Sequence, residues 1–267
     1  MKTVVITGSA RGFGYAMLEL FFKKKFNVVI CDISEESINA AKEKLSKIKS
    51  GGKVLDYKVD VTNESDIKNL IESVIKEVGA IDIWINNAGV NQPDKAIWEL
   101  DSKSIDRLVD IDLKGTIICS KLIMPVMIKE GHGQIFNVEG YGSNDAKMLG
   151  LSIYGTCKRA ITYFTEALAK EVKEKNLNIC VGKITPGIMI TNFISTSLGD
   201  GEKINLSEKT KNVYNILGDY PETIAKFMVD KIVNNNKNNV KFTWLTTRKA
   251  TFRFVKALFK KNDFFKE

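Results

Sequence analysis

Tyr154 and Lys158 stand four residues apart, a spacing that puts two side chains on one face of a helix. A phenol ordinarily titrates at about 10, too high for proton transfer at neutral pH. An ammonium roughly 4 Å away, at an effective dielectric near 20, stabilises the phenolate by about 4 kcal/mol. One pKa unit is about 1.4 kcal/mol, so the phenol is expected to fall to about 7 before burial takes part of that back. Such a pair is a proton-transfer device at cellular pH. Tyr and Lys at this spacing are also common on helix surfaces. The pair gains meaning from a second motif at the other end of the chain.

That motif is Gly8-Ser9-Ala10-Arg11-Gly12-Phe13-Gly14. It lies between a β-branched apolar run, Lys2 to Thr7, and a helical run, Tyr15 to Phe22. In the order strand, glycine turn, helix, the glycines let the backbone approach a pyrophosphate, and the helix N-terminus supplies free N–H donors. The next apolar strand, Asn27 to Cys31, ends at Asp32 and Ile33, the expected adenosine contacts. Asp32 can accept hydrogen bonds from the ribose hydroxyls and would repel a 2′-phosphate. A helix cap is its plainer role, for which Ser34 and Ser37 compete. Arg11 argues for a 2′-phosphate. On balance Asp32 favours NAD, with NADP as the alternative.

Strands and helices alternate through the body of the chain. Lys53–Val59 reads as a third strand ending at Asp60-Val61, which can reach the adenine edge. A helix follows from Glu64 to Val78, then a fourth strand, Ile81–Ile85, leading into Asn86-Asn87-Ala88-Gly89. A long helix is expected from about Ile105 to Met127, a fifth strand at Gln134–Val138, and a helix carrying Tyr154 to about Lys175. A sixth strand, Asn178–Ile184, ends at Thr185-Pro186-Gly187. Alternation of this kind implies a parallel, doubly wound Rossmann-type α/β sheet flanked by helices, with ligands at the carboxyl ends of its strands.

Composition fits one domain spanning residues 1–267, with residues 195–267 forming a lid and a C-terminal helical extension. The first apolar stretch is too short for a signal peptide, and no apolar run approaches the roughly 20 residues a bilayer span needs. Four scattered cysteines (31, 119, 157, 180) read as reduced thiols of a cytoplasmic protein, and no metal cluster can be assembled. The net charge of +8 is spread along helices with acidic partners, which points to solvated surface rather than nucleic acid.

Thr7-Gly8-x-x-x-Gly12-x-Gly14, Asn86-Asn87-Ala88-Gly89, Tyr154-x-x-x-Lys158 and Pro186-Gly187 together resemble the short-chain dehydrogenase/reductase superfamily, over about residues 2 to 195. The resemblance implies a nicotinamide cofactor, alcohol–carbonyl interconversion and a homodimer or homotetramer. It implies that Tyr154 is the acid/base and that Lys158 binds the nicotinamide ribose and tunes Tyr154. Asn87, Ala88 and Gly89 would support the cofactor, and Thr191, after Pro186-Gly187, would meet the nicotinamide carboxamide. Two positions depart from the pattern. The family's substrate-orienting serine is about thirteen residues before the Tyr; here that stretch holds Tyr141 and then Ser143, of which Ser143 is preferred. The family's Asn is Asp112 in this chain. An ionised Asp only accepts hydrogen bonds. It could hold a relay water or pair with Lys158, and pairing would weaken the effect of Lys158 on Tyr154.

The Glu-Gly-Tyr-Gly-Ser stretch, the Tyr154–Arg159 run, Pro186–Thr191 and Tyr220–Ala225 resemble the chlorophyll b reductase-like branch, which shares the Gly-x-Gly-Ser loop. A lid at 192–201 and an apolar wall of Met148, Leu149, Leu151, Met189 and Phe193 point to a bulky apolar secondary alcohol or ketone, a hydroxysteroid or bile acid first. In the basic tail, Thr247 to Asn262, Phe252, Val255, Leu258 and Phe259 share a helical face. That face could lie on an anionic membrane, cap the cleft or join subunits.

Overall fold

The computed structural model describes residues 1–93, 95–191, 207–259 and 262–265. Among these residues, strands β1 (Thr3–Thr7), β2 (Asn27–Asp32), β3 (Val54–Lys58), β4 (Ile83–Asn86), β5 (Gly133–Val138), β6 (Ile179–Thr185) and β7 (Val240–Thr243) form one parallel sheet. Its order is β3-β2-β1-β4-β5-β6-β7. The direction of winding reverses between β1 and β4, which opens a crevice at the carboxyl ends.

The central strands β1, β2 and β4 are largely apolar on both faces because helices cover both. Val4, Ile6, Val28 and Ile30 pack with α1 (Gly12–Lys23), α2 (Glu35–Ser46) and α8 (Pro221–Val233). Val5, Val29 and Cys31 point the other way, onto α3 (Glu64–Val78), α5 (Thr116–Glu130) and α6 (Ser152–Glu174). Each fully buried aliphatic side chain contributes about 1.5–3 kcal/mol. This is the expected Rossmann-type sheet. Beyond it stand α7 (Glu208–Leu217) and α9 (Thr247–Ala257), part of the expected C-terminal extension.

Three differences from expectation matter. β7 was not anticipated: it follows the polar run Asn234–Asn239 and alternates exposed Lys241 with apolar neighbours. Its register on β6, from Gly182↔Val240 to Thr185↔Thr243, makes it a strand. The helix expected over 105–127 is divided into α4 (Ser102–Leu108), a π-helical turn (Val109–Gly115) and α5. Such turns widen a helix by one residue and gather at functional sites. Finally, the expected lid, including Phe193, lies outside the described residues.

Buried polar groups tie the sheet's centre together. Trp84 Nε1 donates to Asn86 Oδ1 at 2.7 Å. Asn86 Nδ2 donates to Ser120 Oγ at 2.9 Å and Asn137 Oδ1 at 2.8 Å, and Asn137 Nδ2 donates to Thr165 Oγ1 at 2.8 Å. Breaking one link would orphan a buried donor at about 1–3 kcal/mol.

Candidate active site

The ends of β1 and β4 shape the glycine turn. The N–H groups of Asn87 and Ala88 each donate to Thr7 Oγ1 at 2.9 Å. Asn87 Nδ2 donates to the carbonyls of Thr7 (2.9 Å) and Gly8 (3.1 Å). A Cβ on Gly14 would lie 2.5 Å from Gly8 O and 2.6 Å from Asn87 Nδ2, so the turn and α1 meet at a distance only glycine allows. The α1 N-terminus has no side-chain cap and no acid in its first turn. The N–H groups of Gly12, Phe13 and Gly14 are therefore left for an anion, and exposed Arg11 adds charge beside them. The turn fits a dinucleotide pyrophosphate.

The other expected cofactor residues divide into those free to face a ligand and those already committed. Ser9 is buried and its hydroxyl accepts Cys31 N–H at 3.1 Å; Phe13 sits in the core. Only the backbone of these two can face the crevice. Asp32 accepts the N–H groups of Ala10 (3.4 Å) and Ser34 (3.3 Å), while Ser34 caps α2 by accepting from Ser37 N–H. Ile33 is exposed beside it. Asp60 accepts the N–H (2.9 Å) and hydroxyl (2.8 Å) of Thr62, and Val61 abuts Gly115. Gly89 lies against Asp112, Pro186-Gly187 leaves β6 against Leu245, and Thr191 is half-buried.

Tyr154 and Lys158 are one turn apart on α6, both buried. Lys158 Nζ lies 5.3 Å from the Tyr154 ring centroid and 2.9 Å from Asp112 Oδ2. The π-helical turn presents Asp112 inward, where its Oδ1 accepts Val90 N–H at 2.8 Å. Asp112 therefore pairs directly with Lys158, the second of the two roles the sequence left open. The electrostatic consequence corrects the expected phenol near neutrality. Burial pushes the Tyr154 pKa above its ordinary value; Lys158 pulls it down, but Asp112 and Tyr214 on α7 push it further up. Burial alone would lower Lys158, yet Asp112 and then Tyr154 hold it above the usual lysine range. Proximity of the cation is not enough when the cation is already paired and the phenol is dry.

The two candidates for orienting the substrate oxygen, Ser143 and Tyr141, are both engaged by backbone carbonyls. Ser143 Oγ donates to Lys158 O at 3.3 Å and accepts Gly140 N–H at 3.2 Å. Tyr141 Oη donates to Lys147 O at 3.2 Å. Gly140 is the close neighbour of the phenol: a Cβ there would collide with Tyr154 Oη. The phenol thus lies beside the residues that leave the carboxyl end of β5.

Sequence reasoning missed three residues around the cluster. Gln92 holds the backbone at the start of α6. Tyr214 comes from α7 and acts on Tyr154. Glu139 is buried beyond β5 and accepts from Thr162 Oγ1 (2.8 Å), Thr185 Oγ1 (2.6 Å) and Lys241 Nζ (2.7 Å). The available signal for Glu139 was an acid directly after a strand read as buried, a place that demands hydrogen-bonded partners.

The chain matches the short chain dehydrogenase family over residues 2–200 and belongs to that family. It is 31% identical over 232 residues to the chloroplast chlorophyll(ide) b reductase NOL of Arabidopsis thaliana, covering 86% of this chain and 64% of that protein. It is 30% identical over 247 residues to the probable chlorophyll(ide) b reductase NYC1 of the same plant, covering 86% of this chain and 48% of the relative. The chain thus spans about half to two thirds of the length of these relatives. Similar solved structures include ElxO with NADP bound (TM-score 0.76, 23% identity, covering 90% of this chain and 96% of that one). Serine dehydrogenase complexed with NADP+ (0.76, 22%, covering 90% and 94%) and levodione reductase (0.77, 21%, covering 91% and 96%) share the fold. The neighbours named with a cofactor hold NADP, which overturns the preference for NAD. Asp32 is partly engaged in bracing the glycine turn and the start of α2, while exposed Arg11 beside the turn offers a guanidinium to a 2′-phosphate.

Proposed function

We propose that the chain is an oxidoreductase that uses NADP(H) to interconvert a small apolar ketone and its secondary alcohol. The observation that carries this reading is the buried cluster of Tyr154, Lys158 and Asp112 beside an uncapped helix N-terminus at the same sheet edge. When bound, the cofactor supplies or accepts a hydride. The backbone of Gly8, Gly12 and Gly14 would receive its pyrophosphate, and Arg11 its 2′-phosphate. Asp60, Val61, Asn87, Ala88, Gly89, Pro186, Gly187 and Thr191 would border the rest. Tyr154 gives its proton to the carbonyl oxygen as the ketone is reduced and takes it back in oxidation. Lys158 stabilises the phenolate, and Asp112 limits how far. Ser143 shapes the loop against α6.

Within that substrate class, exposed Met148 and Leu149 before α6 support a bulky member such as a hydroxysteroid or bile acid. On α9, Phe252, Val255, Leu258 and Phe259 are exposed while Arg253 turns inward to Asp219 at 2.6 Å. This supports a contact between copies in a homo-oligomer, or peripheral contact with an anionic membrane; sedimentation with and without anionic vesicles separates the two. Among the described residues no helix is long and apolar enough to cross a membrane. A cytoplasmic location is part of this proposal.

The test is purified protein with NADPH and a panel of cyclic ketones, diketones and ketosteroids, followed by absorbance at about 340 nm. Turnover that Tyr154→Phe abolishes, with cofactor binding retained, is the expected result. A second reading, a nucleotide-binding regulator without turnover, is favoured by the Asp112–Lys158 pair and the committed Ser143 hydroxyl. Cofactor binding without conversion of any ketone would select it.

A further inference from the structure

The helix that carries Tyr154 begins without a cap of its own. Leu151, at the N-cap, has no side-chain acceptor, and no acid stands in the first turn. The acceptor arrives from the loop after β4. Gln92 Oε1 takes the N–H of Ile153 at 2.9 Å and of Tyr154 at 3.0 Å. Two N–H donors on one atom settle which end of the carboxamide is oxygen.

Its other end, Nε2, is buried and has no hydrogen-bond partner among the described residues, in a residue only 1% exposed. An orphaned buried donor costs about 1–3 kcal/mol. Capping does not require it, since a carboxylate would accept the same two N–H groups and suit the helix dipole better. The surroundings of Gln92 belong to the site: Val90 N–H bonds Asp112, and Val90 and Leu151 pack on the cluster that Tyr154 forms with Leu108. Ser143 and Tyr141, the expected donors to substrate, donate instead to the carbonyls of Lys158 on α6 and of Lys147.

We propose that Gln92 determines substrate specificity: Oε1 positions Tyr154, and Nε2 donates to an acceptor oxygen that the substrate carries in addition to its reacting carbonyl. This rests on the ketone–alcohol reading and narrows it to dicarbonyl or oxygenated ketones.

The experiment compares 1,4-cyclohexanedione with cyclohexanone, using NADPH, in wild type and in Gln92→Glu and Gln92→Leu. Binding of both ketones to the NADPH complex of Tyr154→Phe is measured by calorimetry. One hydrogen bond of about 1.4 kcal/mol is about tenfold, so wild type should prefer the diketone by about tenfold beyond the statistical factor of its second carbonyl, mostly in KM. Gln92→Glu, when ionised, keeps the acceptor for α6 and loses the donor, so at a pH high enough to ionise it the preference should disappear, with a melting temperature lowered by the buried charge but still above that of Gln92→Leu. Gln92→Leu loses both, and kcat on either ketone should fall along with the melting temperature. A preference that survives in Gln92→Glu, or ketones that react without preference in wild type, overturns this proposal alone. NADPH binding with neither ketone bound or converted overturns the ketone reading and this proposal together.

Discussion

Replacing Asp112 with Asn is the most direct probe of the proton-transfer cluster. The substitution keeps the oxygen that accepts Val90 N–H and removes the negative charge that touches Lys158. With Lys158 Nζ 5.3 Å from the ring centroid, the cation favours the phenolate by about 3 kcal/mol at an effective dielectric near 20. The carboxylate is 2.9 Å from Nζ, hence at most about 8 Å from the ring, and opposes the phenolate by about 2 kcal/mol. Removing it should shift the acid limb of kcat/KM for alcohol oxidation down by about 1.5 pH units. The assay is that profile, carried up to about pH 11.5 because burial holds the Tyr154 limb above the ordinary phenol value, with the alcohol of a ketone found active in the panel. A limb that stays within about 0.3 unit would refute the electrostatic reasoning.

The same substitution has a stability cost whose pH dependence follows from Lys158. Asp112 helps hold the folded-state pKa of Lys158 above its ordinary value. A raised pKa contributes stability that is complete below the unfolded value and lost as pH rises through the folded one. Wild type should therefore be the more stable protein across neutral pH, by up to about 3–5 kcal/mol, and the gap should close only in strong alkali. Thermal unfolding at several pH values measures this apart from the rate profile.

Three further outcomes are expected. Gly140→Ala would push a methyl group into Tyr154 Oη; kcat should fall by about 100-fold or more with cofactor affinity unchanged, and an unaffected kcat would show that the loop yields. Gly14→Ala would force the glycine turn away from Gly8 O and Asn87 Nδ2; fluorescence titration should show NADPH binding weakened by about tenfold or more, and unchanged affinity would remove the turn from the cofactor site. Glu139→Ala would leave Lys241 and the hydroxyls of Thr162 and Thr185 without their shared acceptor; because Lys241 is partly exposed and Thr162 keeps Lys158 O, urea unfolding should report a loss of about 1–3 kcal/mol, and a loss below about 0.5 kcal/mol would mean that water replaces the carboxylate.

Local patterns carried most of the architecture. Apolar β-branched runs, helical periodicity and glycines at strand ends depend on neighbours within a few residues, so six strands, their parallel alternation and the glycine turn could be read directly from the chain. The four-residue spacing of Tyr154 and Lys158 likewise guarantees a shared helix face once α6 forms. β7 escaped because its four residues are half polar and owe their conformation to the edge of β6.

Side-chain commitments depended on packing between distant segments. Whether Asp112 met water or Lys158 hung on a π-helical turn that no periodicity announces. Asp32 had the right position for a ribose, and its carboxylate is also engaged by the N–H groups of Ala10 and Ser34. Ser143 had the right residue type, and its hydroxyl turned to Lys158 O. The direction of the Tyr154 shift was decided by burial and by the charge already paired with its lysine. Residue type and spacing establish which groups can reach one another. Only the folded surroundings settle which of them keep a free proton, because desolvation and competing partners are set by atoms far away in the chain.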